Sequence, residues 1–288
     1  MRILDSHLHL WDPARLDYGW LDGALDRRFA AEELAETRTG EPDRDAAIFV
    51  QAECAETQFL QEVRWVLADA ARTGVVGIVA GARLDRGEST LEHLAALAEI
   101  DEVVGVRHLL QDEPPGTATG TAFLAGAAAL ADRGLRFDAC VRPDQLPEVS
   151  ALADAVPELA IVLDHLGQPA VGTVADPLRP HATWLRELRR LAAHPQVAVK
   201  LSGLPAEAGG PWSPAQVAPF LDAAAEAFGP DRLLWGSDWP VSSVSGRHGY
   251  RAGGRRAWAT AVVDWAVQRG LDSDAVLRRN GERFYGVG

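Results

Sequence analysis

Ile3-Leu-Asp5-Ser-His7-Leu-His9-Leu10 is the first of eight short apolar runs, and the residues that close it decide the fold. The others are Ala46–Gln51, Val75–Leu84, Val103–Leu110, Arg136–Val141, Ala160–Leu166, Val197–Leu201 and Arg232–Trp235. Each is too short for a buried helix, and most are rich in Val, Ile, Leu or Phe. They read as strands buried on both faces, the pattern of a parallel sheet. An open doubly wound sheet usually carries a glycine-rich turn after its first strand, and that position here holds His-Leu-His. Eight strands alternating with helices over 288 residues instead predict an α/β fold, one (β/α)₈ TIM barrel, for which about 250 residues is typical. A single domain over residues 1–288 follows, since no linker, repeat or low-complexity block divides the chain.

The intervening segments have helical periodicity. Gln58–Arg72 places Phe59, Leu60, Val63, Val66, Leu67 and Ala70 on one face, with Gly74 as a stop. Ser89-Thr-Leu-Glu92 reads as a capping box before a helix over Leu91–Ile100, and Ser213-Pro-Ala-Gln216 as another. Further helices fit Phe123–Arg133, Pro147–Val156, Ala182–Ala193, Pro219–Phe228, Ala257–Arg269 and Ser273–Phe284. The longest loops, Asp12–Phe29, Gln111–Gly120, Gly203–Ser213 and Ser242–Arg256, all follow strands. In a barrel they gather at the C-terminal mouth, where active sites form.

Composition narrows the partners. A net charge of −13 argues against nucleic acid or an anionic membrane. Cys54 and Cys140 are too few for a disulfide framework or a structural zinc knot, and no Cys–His pattern makes either a nucleophile. No run approaches the roughly 20 apolar residues of a membrane span, and the N-terminus lacks a signal-peptide core. The expectation is a cytoplasmic protein, monomer or homodimer, acting on a small molecule.

His7 and His9, two apart on a strand, project from one face into the barrel. Two imidazoles on one wall can share a metal or polarise a carbonyl oxygen. Alone the pair would often be incidental. However, Asp164-His165-Leu-Gly167 ends the sixth run and Trp235-Gly-Ser-Asp238-Trp-Pro240 the eighth, which neighbours the first once the barrel closes. His7, His9, His165 and Asp238 are therefore predicted as metal ligands, with Asp238 and His165 in catalytic roles. Arg107, His108, Gln51 and Glu53 end the fourth and second runs and are expected at the substrate. Lys200, the one lysine, lies in the seventh run, with substrate contact and a buried salt bridge as equal readings. Trp11 and Trp239, and less specifically Trp212, offer flat apolar walls, though indoles as often simply pack. The arginines of Arg247–Arg256 read as a solvated loop rather than an anion-binding rim.

Asp5-Ser-His-Leu-His-Leu-Trp-Asp12, Gly105-Val-Arg-His-Leu-Leu-Gln-Asp-Glu-Pro114, Leu163-Asp-His-Leu-Gly-Gln-Pro169, Val199-Lys-Leu-Ser-Gly203, Leu234-Trp-Gly-Ser-Asp-Trp-Pro240 and Arg279-Asn-Gly-Glu-Arg-Phe-Tyr-Gly286 resemble the amidohydrolase-related family of the amidohydrolase superfamily. Its lactonases, acting on sugar lactones and 2-pyrone-4,6-dicarboxylate, are the nearest look-alikes. The resemblance implies a barrel hydrolase that opens a lactone, with one divalent ion, usually zinc, or none. His7 and His9 match the family's strand-one pair, His165 its strand-six histidine and Asp238 its strand-eight aspartate. The fourth run has no lysine and the fifth no histidine, which disfavours a lysine-bridged two-metal centre. Stretch 241–256 departs from the sugar-lactonase pattern and leaves the substrate open. The alternatives are a metal-dependent decarboxylase on the same barrel and a catalytically silent binding barrel.

Overall fold

The chain, described here from a computed structural model, is defined over residues 2–37, 45–244 and 254–288. Eight parallel strands form one sheet in sequence order: β1 Ile3–Leu8, β2 Asp45–Val50, β3 Val75–Gly81, β4 Val103–Arg107, β5 Arg136–Ala139, β6 Ile161–Leu163, β7 Val197–Leu201 and β8 Leu233–Trp235. The predicted strands are all present, and β1, β3, β4, β5 and β6 are shorter than their apolar runs because the last residues of those runs leave the ladder for the mouth. Beyond the end of β8 the chain closes the ring. Asp238 N–H donates to the His7 carbonyl at 2.8 Å and His9 N–H to the Trp239 carbonyl at 2.8 Å. Ser6 Oγ also donates to the Trp235 carbonyl, and Asp5 accepts from Ser237 N–H. These bonds place Asp238 beside the two histidines of β1.

Apolar side chains fall into two layers. Leu4, Ile48, Val50, Val79, Val104, Val162, Ala198, Leu234 and Tyr285 fill the barrel interior, and a larger cluster lies between strands and helices. Strict alternation would turn Leu4 and His7 to opposite faces. The β1–β2 register shifts between Asp5 and Leu8, and this irregularity lets both point inward. The last helix, Asn280–Tyr285, covers the opposite, N-terminal end of the barrel. There Asn280 donates to the Leu233 carbonyl and Arg136 to the Phe284 carbonyl.

Several helix details differ from expectation. Glu88–Ala98 starts earlier than predicted, on Gly87, and the Ser89 box does not form. Thr90 Oγ1 instead ties the loop, accepting from Arg86 N–H and donating to the Arg83 carbonyl. The Ser213–Gln216 box does form, and it opens one continuous helix, Pro214–Phe228, with Pro219 inside it. Ser273–Phe284 becomes a π-turn over Ala275–Arg279 followed by the last helix. Among the described residues, no helix is long and apolar enough to cross a membrane.

Candidate active site

Three strand ends bring four donor atoms together at the mouth. His7 Nε2 and His9 Nε2 lie 3.1 Å apart. Asp238 Oδ1 stands 3.9 Å from His7 Nε2, 3.5 Å from His9 Nε2 and 3.8 Å from His165 Nε2. Tetrahedral ligands about 2.0–2.1 Å from a zinc-sized ion are about 3.3 Å from each other. The donor atoms of His7, His9 and Asp238 all lie within 4.8 Å of one another, as do those of a second group, His7, Asp164 and His165, so the first group offers a divalent cation three donors and His165 stands beside it, 3.8 Å from Asp238 Oδ1. The far side of each ring is already engaged. His9 Nδ1 is 2.8 Å from the Val50 carbonyl, His165 Nδ1 2.9 Å from Ser202 Oγ, and His7 Nδ1 3.2 Å from Asp164 Oδ1. At His9 and His165, protons held on Nδ1 would leave the Nε2 lone pairs free, as metal-ligating histidines require, whereas His7 Nδ1 faces both the Asp164 carboxylate and the Lys200 ammonium group. The second oxygen of Asp238, Oδ2, accepts from Ser242 Oγ at 2.7 Å, which aims Oδ1 at the imidazoles.

The local backbone is strained in order to do this. Among the described residues, the non-glycine residues with positive φ are Glu53, His165, Leu166, Gln168 and Asp238. All but Leu166 line one cavity of about 380 Å³ at the mouth. Such conformations cost energy, and they cluster where function demands them. Gly203, at φ 72°, backs the His165 ring so closely that a Cβ would lie 2.5 Å from its Cγ.

Burial sets the charge states. Desolvation, followed by Lys200, lowers the His7 pKa well below the ordinary imidazole value. Desolvation also lowers that of His165. It works the other way on Asp238, but His165 and the hydrogen bond with His9 outweigh it and keep the carboxylate ionised. The site thus presents neutral imidazoles at His7 and His165 and an anion at Asp238.

Beneath it lies a buried charge network. Lys200 Nζ donates to Asp138 Oδ2 and lies 3.0 Å from both Asp164 Oδ1 and His7 Nδ1. Tyr285 Oη donates to Asp138 at 2.9 Å. Lys200 is fully buried, so of its two readings the structure supports the internal salt bridge and corrects direct substrate contact. Asp138 was missed, though a carboxylate inside an apolar strand two strands from the buried lysine's was the available signal. Burial raises the Asp138 pKa to about 6 against the pull of Lys200. In Asp164 the same opposing effects favour Lys200 and His7, which hold it well below the usual range.

Other expected substrate residues divide. Arg107 and Glu53 line the cavity. Arg107 is nevertheless committed to the wall: Nη2 donates to the Gln51 carbonyl, and Nη1 is 3.6 Å from Asp164. Gln51 and His108 do not reach the main cavity and instead line an adjoining recess. Gln51 Oε1 accepts from Glu53 N–H, and His108 Nδ1 accepts from Leu84 N–H. Trp11 and Trp239 are buried packing, both edge-on to Phe29, with the Trp11 indole donating to the Arg27 carbonyl. The aromatic wall is Trp20, 39% exposed, which sequence reasoning passed over inside its loop. Gln111, Asp112, Gln168 and Glu207 were also passed over and complete the rim. Gln168 follows the His165 motif directly, and that adjacency was its signal. Cys140 lies in the wall with its thiol pushed up to about 12 by burial, which fits an inert group. Of the arginine-rich stretch, 247–253 lies outside the described residues. Arg255 is buried against Asp5 and Asp45, which corrects the solvated reading there.

Residues 4–287 match the amidohydrolase family. L-fucono-1,5-lactonase of Burkholderia ambifaria is 33% identical over 99% of this chain and 95% of its own. The protein of the same name from Burkholderia multivorans is 33% identical over 93% and 92%. A crystal structure of a zinc-bound amidohydrolase from Burkholderia multivorans superposes with a TM-score of 0.81 at 30% identity, covering 100% of both chains.

Proposed function

The chain belongs to the amidohydrolase family, and on that premise we propose that it hydrolyses a neutral sugar lactone, with residues 1–288 working as one barrel domain. The supporting observation is the convergence of three imidazole Nε2 atoms and Asp238 Oδ1 in a cavity walled by further carboxylates. Asp238 accepts the proton of an attacking water, and the water oxygen adds to the lactone carbonyl. The ring C–O bond then breaks, and the leaving alkoxide takes up the proton to give a hydroxy acid. The donor set fits one divalent ion, with zinc our choice. Such an ion would polarise the carbonyl and make bound water more acidic. The substrate is a small molecule, and we place the enzyme in the cytoplasm as a monomer or homodimer.

Charge favours a neutral lactone over a dicarboxylate. Among the described residues, Glu53, Asp112, Glu207 and Asp238 line the cavity with one arginine, Arg107, which is already occupied by Gln51 and Asp164; Asp112 is paired with Arg142 beside the rim, and burial raises the Glu207 pKa to about 7. Hydroxyl groups can satisfy such walls as donors, whereas an added carboxylate would be repelled. The relatives named L-fucono-1,5-lactonase agree with this choice.

A pH-indicator screen of aldonolactones and 2-pyrone-4,6-dicarboxylate, with and without chelator, tests the reading. Neutral aldonolactones should turn over at least about tenfold faster than the dicarboxylate, and chelation should suppress the rate. Preference for the dicarboxylate would overturn the substrate class. Carbon dioxide release, or no turnover across the panel, would overturn lactone hydrolysis itself.

Gly203→Ala is expected to lower kcat/KM by about 10²-fold, because the added methyl must displace the His165 ring. An unchanged rate constant in a folded variant would show that His165 tolerates the shift.

A further inference from the structure

The helix Phe59–Ala68 buries Phe59, Val63 and Val66, and with them a carboxylic acid, Glu62. An acid on the apolar face of an amphipathic helix needs a reason. Glu62 is not a cavity residue. Its Oε1 accepts from Ala52 N–H at 3.1 Å, and Ala52 is the second residue after β2, which ends at Val50. The carbonyl of the same residue accepts from the Trp20 indole at 2.8 Å. Glu53 follows at φ 62°, its N–H held by Gln51 Oε1, while Arg107 holds the Gln51 carbonyl. A strained turn that carries one cavity carboxylate, Glu53, and anchors the indole of one cavity aromatic, Trp20, is thus pinned from behind by Glu62.

We infer that Glu62 is a positioning residue for the substrate pocket: through the Ala52 peptide it sets where Glu53 and Trp20 stand. This rests on the lactonase reading for its kinetic consequence, but not for its structural one. Glu62 Oε2 and Tyr18 Oη are both sealed from solvent, and neither has a well-formed hydrogen bond. Tyr18 lies two residues before Trp20 in the same loop, so Glu62 faces both segments that line this side of the pocket. A neutral carboxyl suits the position, accepting from Ala52 and carrying a proton toward Tyr18. Burial raises the Glu62 pKa to about 8, against the opposing hydrogen bond from Ala52 and the charge of Arg107. The other ionisable groups around it are Glu53, Cys54, Tyr18 and, beyond Tyr18, Asp12. Burial raises both the Tyr18 hydroxyl and the Cys54 thiol well above their usual values, so neither titrates near pH 8.

The sign follows from linkage. The folded state keeps the Glu62 proton where the unfolded chain, with a pKa of about 4.3, has lost it. Stability from this group is therefore full below pH 4 and falls as pH rises, until Glu62 ionises in the fold near pH 8.

Glu62→Gln keeps an acceptor for Ala52 and a donor toward Tyr18 but cannot ionise; Glu62→Ala keeps neither. For Glu62→Ala we expect KM for the aldonolactone to rise about tenfold, with kcat within a few-fold, because one buried hydrogen bond is lost away from the reacting atoms. Glu62→Gln should restore KM at neutral pH. The wild-type indole resonance of Trp20, assigned with Trp20→Phe, should shift with a midpoint near pH 8, and in Glu62→Gln it should not. Wild-type KM should rise over the same interval and stay flat in Glu62→Gln. Unchanged KM in a folded Glu62→Ala, or the same Trp20 titration in wild type and Glu62→Gln, would overturn the inference. If Glu62→Ala does not fold, the Trp20 titration decides alone. If wild type hydrolyses no lactone but the titration behaves as expected, the positioning role stands and the substrate reading falls.

Discussion

Asp238→Asn should lower kcat on the true lactone by at least 10²-fold, toward the 10⁴-fold upper end of what general-base assistance contributes, while leaving the fold intact. An amide is isosteric with the carboxylate and can still accept from Ser242 Oγ, so the bond that orients residue 238 survives. What it cannot do is take a proton from water or present an anion to the three imidazoles 3.5–3.9 Å away. Divalent-ion affinity should fall as well, since a charged oxygen donor is replaced by a neutral one. Measured at saturating metal, the loss should persist in kcat. Activity within a few-fold of wild type would remove Asp238 from the chemistry. Circular dichroism and thermal unfolding close to wild type would show that the loss is not one of folding.

Lys200→Met should be the most destabilising single change at the site. The ammonium group is fully buried between two fully buried carboxylates, Asp138 and Asp164. Removing one partner of a buried charge set, rather than the whole set, typically costs about 3–5 kcal/mol. For a chain of this size that corresponds to a fall in Tm on the order of 10 °C. The deficit should grow with pH. Without Lys200, Asp138 keeps its proton to a higher pH in the fold, while the unfolded chain still releases it near pH 4, so stability is lost as pH rises. Adding Asp138→Asn should restore part of the Tm, because the uncompensated charge is gone. A single variant with Tm within about 2 °C of wild type would mean that the network contributes specificity rather than stability.

The same network shows where sequence reading reached its limit. The lone lysine in an apolar strand was visible, and so was the need to pair it. Which partner it takes depends on which strands face one another across the barrel interior. Asp164 follows β6, the neighbour of β7, whereas Asp138 stands on β5, two strands away, and meets the ammonium group only because both side chains enter the barrel interior. Likewise, the His-x-His pair, His165 and Asp238 were legible because each ends an apolar run, and a barrel sends all such ends to one mouth. Trp20 and Glu207 lie in loops, where no period says which side chain turns inward. Gln51 and His108 lie just past strand ends as predicted, yet each is held in the adjoining recess by a backbone N–H, Gln51 by that of Glu53 and His108 by that of Leu84.

The sequence by itself therefore determined the barrel, the strand ends that carry ligands and the family pattern, because apolar periodicity and strand-end position are local properties of the chain. Only the tertiary structure decided that Lys200 belongs to the floor and Trp20 to the wall, that Arg107 is already occupied, and that Glu62 braces the pocket from behind. Those outcomes depend on burial, on through-space charge and on hydrogen bonds between distant segments, none of which exists before the ring closes.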